Sequence, residues 1–463
     1  MAMLDPQAIL SGSTRRGASG GVITAITLSS VCLALFLGVM LVAGGGSFIV
    51  AATLSLVTLV PMMAFVMALD SLEPEPRSLL VATFLWGAGA SVMLSVVLEG
   101  LGAATLGGLG ASPDTTVVVV VAPIVEETMK GLAVFAMFWF RRSQLNGITD
   151  GVVYAATCAL GFAAAENIVY YIGAAQEGGA ASLAVLFVMR GVMSPFCHPV
   201  FTAMTGIGIV WAVRARGAGR WLFPIGGLLL AMLLHGMWNG LATTGLGGLV
   251  AAMTIVVGVL IAILVALRRD RRQTIAQIES CMAEYVPTGL VTGADLAMLS
   301  SLDTRKRARA WALSTRGKTG FNAMRDYQLA CTKLTMLHER ARLGMVGPYE
   351  FERQRWLLLT LMHFAREAFL GPAQLAVPMV TAPWAGQYAP QQHYAQPQQF
   401  VPLQRYAPQS QPAYAPQQWP APPPQPPNTP PQQFVPLRPA YAPRQWPAPP
   451  PQPPNTPPGY PRP

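Results

Sequence analysis

TTVVVVVAPIVEETMKGLAVFAMFWF, residues 115–140, is apolar for long enough to cross a bilayer, yet it carries Glu126, Glu127 and Lys130 near its middle. A helix needs about 20 apolar residues to span the hydrocarbon core. A charge at that depth costs roughly 2.5–3.5 kcal/mol on insertion scales. A span that accepts three such groups needs partners for them, and the partners must come from neighbouring helices.

Working outward by the same length criterion, eight spans are expected: 21–43, 47–69, 78–98, 115–140, 151–172, 189–213, 221–240 and 246–267. The reading is an all-α, polytopic membrane helix bundle. The composition agrees, with 52% hydrophobic and only 11% charged residues. Arg15, Arg16, Arg77, Arg141, Arg142, Arg214, Arg216, Arg220 and the arginines of 268–272 all fall on one side of this arrangement. The connections at 44–46, 99–114, 173–181 and 241–245 contain no Lys or Arg. The positive-inside rule then places both termini in the cytoplasm of a multi-pass cell-membrane protein. The first apolar run is longer than a signal-peptide core and reads as an uncleaved span.

The net charge of +10 does not indicate nucleic acid, because the basic residues flank apolar runs instead of clustering with stacking aromatics. No nucleic-acid partner is expected. Of the five cysteines, Cys32, Cys158 and Cys197 lie in apolar spans and Cys281 and Cys331 in the segment placed in the cytoplasm, so a disulfide framework is not expected.

Four regions follow: a cytoplasmic segment at 1–20, a membrane-embedded domain at 21–270, a small cytoplasmic α-helical domain at 273–371, and a Pro/Gln-rich tail at 372–463. Helical spacing of Tyr327, Ala330, Leu334, Leu337 and Ala341, and again across Phe351–Phe364, marks the third region as amphipathic helices. In the fourth, QWPAPPPQPPNTPP at 418–431 recurs intact at 445–458. Such a tail cannot bury a core; it is expected to be disordered with polyproline II character, as a spacer or as a ligand for a proline-motif-binding partner.

Further polar groups lie within the spans: Glu166-Asn167 in the fifth, His198 in the sixth, and His235-x-x-Trp238-Asn239 in the seventh. Counted from the expected helix ends, Glu126, Glu127, Glu166, His198 and His235 fall at a similar depth, which favours one polar chamber. Lys130 is one turn from both Glu126 and Glu127, while adjacent helix positions diverge by about 100°. One glutamate can therefore be neutralised by Lys130 while the other faces the chamber as a general base; the order of roles is open. Two histidines and a glutamate can also form a three-ligand zinc site with an open position, and His198, His235 and Glu166 are the ligand set named for Zn2+. A metal-free version uses the same residues, with Asn167 or Asn239 donating to an oxyanion.

Taken in order, Ala122-Pro123-x-x-Glu126-Glu127-x-x-Lys130, Asp150-Gly151, Gly161-Phe162-x-x-x-Glu166-Asn167, His198-Pro199-x-Phe201-Thr202 and His235-x-x-Trp238-Asn239 resemble the PrsW family of intramembrane metalloproteases. That family is grouped with the CAAX prenyl protease and bacteriocin-processing membrane endopeptidases. The resemblance covers about residues 20–270. It implies that Glu126, Glu127, Glu166, His198 and His235 are catalytic, and that the substrate is a membrane protein, the family's best-known one being a single-span anti-sigma factor.

Plainer readings apply elsewhere. Arg190 is expected to snorkel to the outer interface, Trp238 to anchor at it, and Asp150 to be the N-cap of the fifth span. His338 and His363 read as surface or packing residues. The competing functions are a proton-coupled transporter, since buried Glu and His also serve proton relays, and a membrane-anchored scaffold.

Overall fold

The computed structural model of the chain describes residues 9–10, 20–108 and 113–370. The tail at 372–463, with its repeats, and Arg15 and Arg16 lie outside the described residues. Among the described residues every regular element is helical, and the chain is a polytopic helical membrane protein. Six stretches are long and apolar enough to cross a bilayer: Gly20–Gly44, Gly46–Leu69, Arg77–Leu106, Ile148–Arg214, Ala218–Ala242 and Leu246–Thr288.

The helices are α1 (Gly20–Gly44), α2 (Gly46–Leu69), α3 (Arg77–Leu85), α4 (Val92–Gly108), α5 (Ala122–Phe140), α6 (Ile148–Phe187), α7 (Cys197–Arg214), α8 (Leu222–Ala242), α9 (Leu246–Ala283), α10 (Gly293–Leu299), α11 (Leu302–Arg342) and α12 (Pro348–Leu370). Three short π-helical segments interrupt the apolar runs. Trp86–Ser91 joins α3 to α4, Val117–Val121 precedes α5, and Val188–Met193 follows α6.

The run at 189–213, expected as one span, is not continuous. It passes from the π segment into a turn at Ser194–Phe196 before α7 begins at Cys197. Pro195 supplies no N–H and biases the residue before it away from the α region, so the break falls there. The connection expected at 173–181 is instead part of α6, which kinks at Gly179 with φ of 64°.

α6 is the central element, packed against α2, α3 and α7. Its approach to the others is set by glycine. A Cβ on Gly161 would run into the carbonyl of Phe84, and one on Gly87 into the carbonyl of Cys158. Gly151 and Gly206 confront each other in the same way. Without side chains at these crossings the backbones come close enough for short polar groups to meet across helices.

The arginine-rich ends gather at one end of the bundle. Arg214 donates to the Asn146 carbonyl, Arg271 to that of Leu69 at 3.1 Å, and Thr149 to Asp270 at 2.9 Å. Asp150 is not an N-cap. Gly147 takes that position, and the Asp150 carboxylate reaches back from the first turn to accept from the N–H groups of Asn146 and Gly147 at 2.6 and 2.9 Å. Beyond its apolar part α9 continues to Ala283, where Ile278 and Met282 share one apolar core with Met298, Met324, Leu334, Leu358 and Phe369 of α10–α12.

Candidate active site

α5, α6, α7 and α8 each present polar side chains to the same point. On α5, Lys130 is fully buried, with its Nζ 2.6 Å from Glu127 Oε1 and 3.1 Å from Glu126 Oε2. The ammonium also lies 3.2 Å from His198 Nδ1 and 4.2 Å from the centroid of the Phe162 ring. It is therefore the hub of the cluster, and its single charge is shared between two carboxylates.

The two glutamates face different surroundings, as the helical divergence of adjacent residues requires. Glu127 is enclosed. Its Oε2 accepts from Thr202 Oγ1 at 2.8 Å, and its Oε1 lies 3.1 Å from His235 Nδ1. Glu126 lines a cavity of about 240 Å³ that Glu127 does not reach. Thr202 stands within the quoted motif, but nothing local marks it as the partner of Glu127.

The histidines are each turned by a carboxylate. His198 Nε2 is 2.9 Å from Glu166 Oε2, and His235 Nδ1 meets Glu127. An ionised carboxylate only accepts, so these ring nitrogens donate, and the opposite nitrogens present lone pairs. Those are His198 Nδ1, 4.0 Å from Glu126 Oε2, and His235 Nε2, 3.9 Å from the same oxygen. The His235 ring is stacked on Phe201 with centroids 5.1 Å apart, which holds its plane.

All five expected residues, Glu126, Glu127, Glu166, His198 and His235, thus come together, with Lys130 among them. Asn167 and Asn239 both line the cavity. Asn239 Nδ2 donates to the Val118 carbonyl at 2.8 Å, in the π segment ahead of α5. Asn167 Oδ1 accepts from Arg190 Nε at 2.8 Å.

Arg190 does not snorkel to the outer interface. Its Nη2 pairs with Glu166 Oε2 at 2.6 Å, and its guanidinium lies 4.0 Å from the Tyr170 ring centroid. The π segment Val188–Met193 carries it there, and a widened turn of this kind was not legible from apolar spacing. Trp238 also lines the cavity, where an interfacial anchor was expected.

Glu126, Glu127, His198 and His235 each offer a ligand atom, and these atoms lie within 4.8 Å of one another. Two imidazole nitrogens with carboxylate oxygen form a donor set suited to zinc, and each histidine already has the carboxylate that orients such ligands. The donor set fits a metal. Glu166 lies outside this group, since it is engaged by Arg190 and the far nitrogen of His198; a carboxylate of the Glu126–Glu127 pair stands nearer the centre than the one expected.

Residues 75–267 match the model of the PrsW family intramembrane metalloprotease. The chain is 27% identical to "Protease PrsW" of Geobacillus kaustophilus (strain HTA426) over 185 residues, 39% of this chain and 75% of that one. It is 29% identical to "Protease PrsW" of Clostridioides difficile (strain 630) over 179 residues, 38% of this chain and 72% of that one. No solved structure matches. The matched segment contains the whole cluster from Glu126 to His235.

Proposed function

We propose that this chain, a member of the PrsW family of intramembrane proteases through residues 75–267, hydrolyses a peptide bond of a membrane-protein substrate at the Glu126 end of the cavity. The observation that carries the reading is the division of labour between adjacent glutamates. Glu127 has its oxygens taken up by Thr202, His235 and Lys130, while Glu126 faces the cavity of about 240 Å³.

Glu126 is the general base: it takes a proton from water as the water oxygen bonds to the scissile carbonyl carbon. It then returns the proton to the amide nitrogen as the C–N bond breaks. Lys130, 3.1 Å from Glu126 Oε2, holds that carboxyl group in place. Glu127 orients His235, whose Nε2 lone pair is left for the water, and Glu166 orients His198, whose Nδ1 accepts from Lys130. Asn167, whose carbonyl oxygen is held by Arg190, has its NH2 group left to donate to the developing oxyanion; Asn239 instead holds the Val118 carbonyl.

A zinc ion held by His198, His235 and one carboxylate of the pair would supply Lewis acidity and a lowered pKa for bound water. The orientation expected from the arginines, with both termini cytoplasmic, is supported by the meeting of the ends of α2 and α7, the start of α6 and the polar part of α9 at one end of the bundle.

The test is cleavage of a single-span membrane protein by the full-length chain reconstituted in liposomes. Glu126→Gln is expected to lower kcat by about 10²–10⁴-fold, the range for loss of a general base. Cleavage at an undiminished rate would overturn the assignment. Metal analysis of the purified protein beside its His235→Ala variant decides whether zinc participates.

A further inference from the structure

The catalytic cluster occupies one wall of the cavity, and the wall formed by α4 has a different character. Ser91, Ser95 and Glu99 recur every fourth residue, from the π segment into α4, and so share a face. Ser91 and Ser95 are 0% and 2% exposed. Ser91 Oγ, Ser95 Oγ and Glu99 Oε1 are all buried without a hydrogen-bond partner among the described residues. Ser95 and Glu99 line the cavity, as do Val92 and Val96.

Unpaired polar atoms in such a place are costly, and a carboxylate more than a hydroxyl. The other acids in the cavity are provided for. Glu126 has Lys130, and Glu166 has Arg190. Arg190 is the one Lys or Arg among the described residues lining the cavity, and it is already paired. Glu99 is the acid left over, with the Ser95 hydroxyl one turn before it.

We infer that the Ser95–Glu99 wall is a substrate subsite for a basic side chain, with Glu99 as its specificity-determining residue; this rests on the protease reading of the same cavity. An ionised carboxylate can only accept, so the occupant must bring a donor. The backbone N–H groups of a helical substrate are bonded within that helix. The donor is therefore a side chain, and Lys or Arg also supplies the compensating charge, in the same cavity that Glu126 lines. The substrate class is a membrane-spanning peptide with one Lys or Arg at a set distance from the bond that is cut.

The probes are apolar Leu/Ala peptides of about 21 residues, enough to span the bilayer, in phosphatidylcholine liposomes with the full-length protein. One series carries a single Lys moved along the span; the control carries norleucine at each position. Binding is measured with the Glu126→Gln protein and cleavage with the wild type. At one Lys position the dissociation constant is expected to be about 10- to 100-fold below that of the norleucine control, the range for a hydrogen bond to a charged group. Glu99→Gln, in the same background, is expected to bring that ratio close to one, and Glu99→Lys to transfer the preference to peptides with Glu at that position.

Equal binding of Lys and norleucine peptides at every position by the Glu99-containing protein would overturn the inference, as would a Lys preference that survives Glu99→Gln. Binding selectivity without any cleavage by the wild type would sink the protease reading while leaving the subsite in place. Cleavage that depends on Glu126 but ignores Lys would do the reverse.

Discussion

Two buried polar clusters in this molecule can be compared, one among α5–α8 and one where the loop after α2 meets α11. Each gathers several carboxylates around one lysine. In the second, Lys333 of α11 reaches Glu73 at 2.6 Å, Asn146 donates to the same oxygen at 3.0 Å, Tyr154 donates to Glu75 at 2.6 Å, and the Glu75 N–H donates to Asp70 at 2.8 Å. The partners there are loop backbone, a phenol and an amide, and the adjoining space is only about 50 Å³. In the first, the partners include two imidazoles, and both rings line a cavity of about 240 Å³. Clusters of similar charge thus have opposite uses. Where the remaining valence points into protein the cluster joins chain segments, and where it points into a cavity it can act on a reactant.

That contrast is broken most directly by substitution at its two centres. Removing Glu126 as Glu126→Gln should abolish chemistry by about 10²–10⁴-fold in kcat while leaving the helical circular dichroism intact. Lys333→Met should do the opposite, destabilising the protein by about 3–5 kcal/mol because it leaves Glu73 without its charged partner. Thermal unfolding of the purified protein measures that loss. A fall in kcat as large as that of Glu126→Gln would show that the two clusters do not have separate roles.

Gly161→Val sharpens the comparison by acting on the packing that assembles the first cluster. Its side chain would meet the Phe84 carbonyl, so α6 must shift. The expected cost is about 1–3 kcal/mol, with kcat reduced through misplacement of Glu166 and His198. Restored stability without restored activity in a compensating variant would separate the two effects.

The smallest expected effect is on pH. Burial pushes the Asp70 carboxyl up to about 7, and burial together with the neighbouring Asp150 pushes that of Glu75 well above the carboxylate range. The folded form therefore holds protons that the unfolded chain releases at lower pH. This stabilisation is complete below the ordinary Asp value near 3.8 and is lost as pH rises through about 7. The Lys333 ammonium pulls both carboxyls the other way without outweighing their burial. Between pH 6 and 8 each such carboxyl should weaken the junction by up to about 1.4 kcal/mol per pH unit. Protection against hydrogen exchange along α11 near Lys333 should fall roughly 10-fold or more over that interval; constant protection would remove the carboxyls as its cause.

Much of this architecture was legible in the sequence, and the omissions share a cause. Apolar length marked the membrane helices, because a chain in lipid must satisfy its own backbone. Charges inside those runs marked Glu126, Glu127, Glu166, His198 and His235, because such groups are costly without a purpose. Arg190 was misplaced because its position depends on a π segment and on the break at Ser194–Phe196, which apolar spacing does not register. Glu99 fell in a stretch read as a connection, though α4 continues through it to Gly108. The spacing of Ser91, Ser95 and Glu99 was the available signal. Asp150 has the residue type of a cap, whereas backbone geometry shows that Gly147 occupies the position.

By itself the sequence determined that this is a helical membrane protein with titratable groups inside its spans, because hydrophobic length and the cost of buried charge are local properties. Which glutamate faces the cavity, which carboxylate orients which histidine, and where Arg190 and Glu99 stand were decided only by tertiary structure. Those outcomes depend on how neighbouring helices are rotated and how closely they approach at Gly87, Gly151, Gly161 and Gly206, and a residue's partner across such a crossing is not written in its own helix.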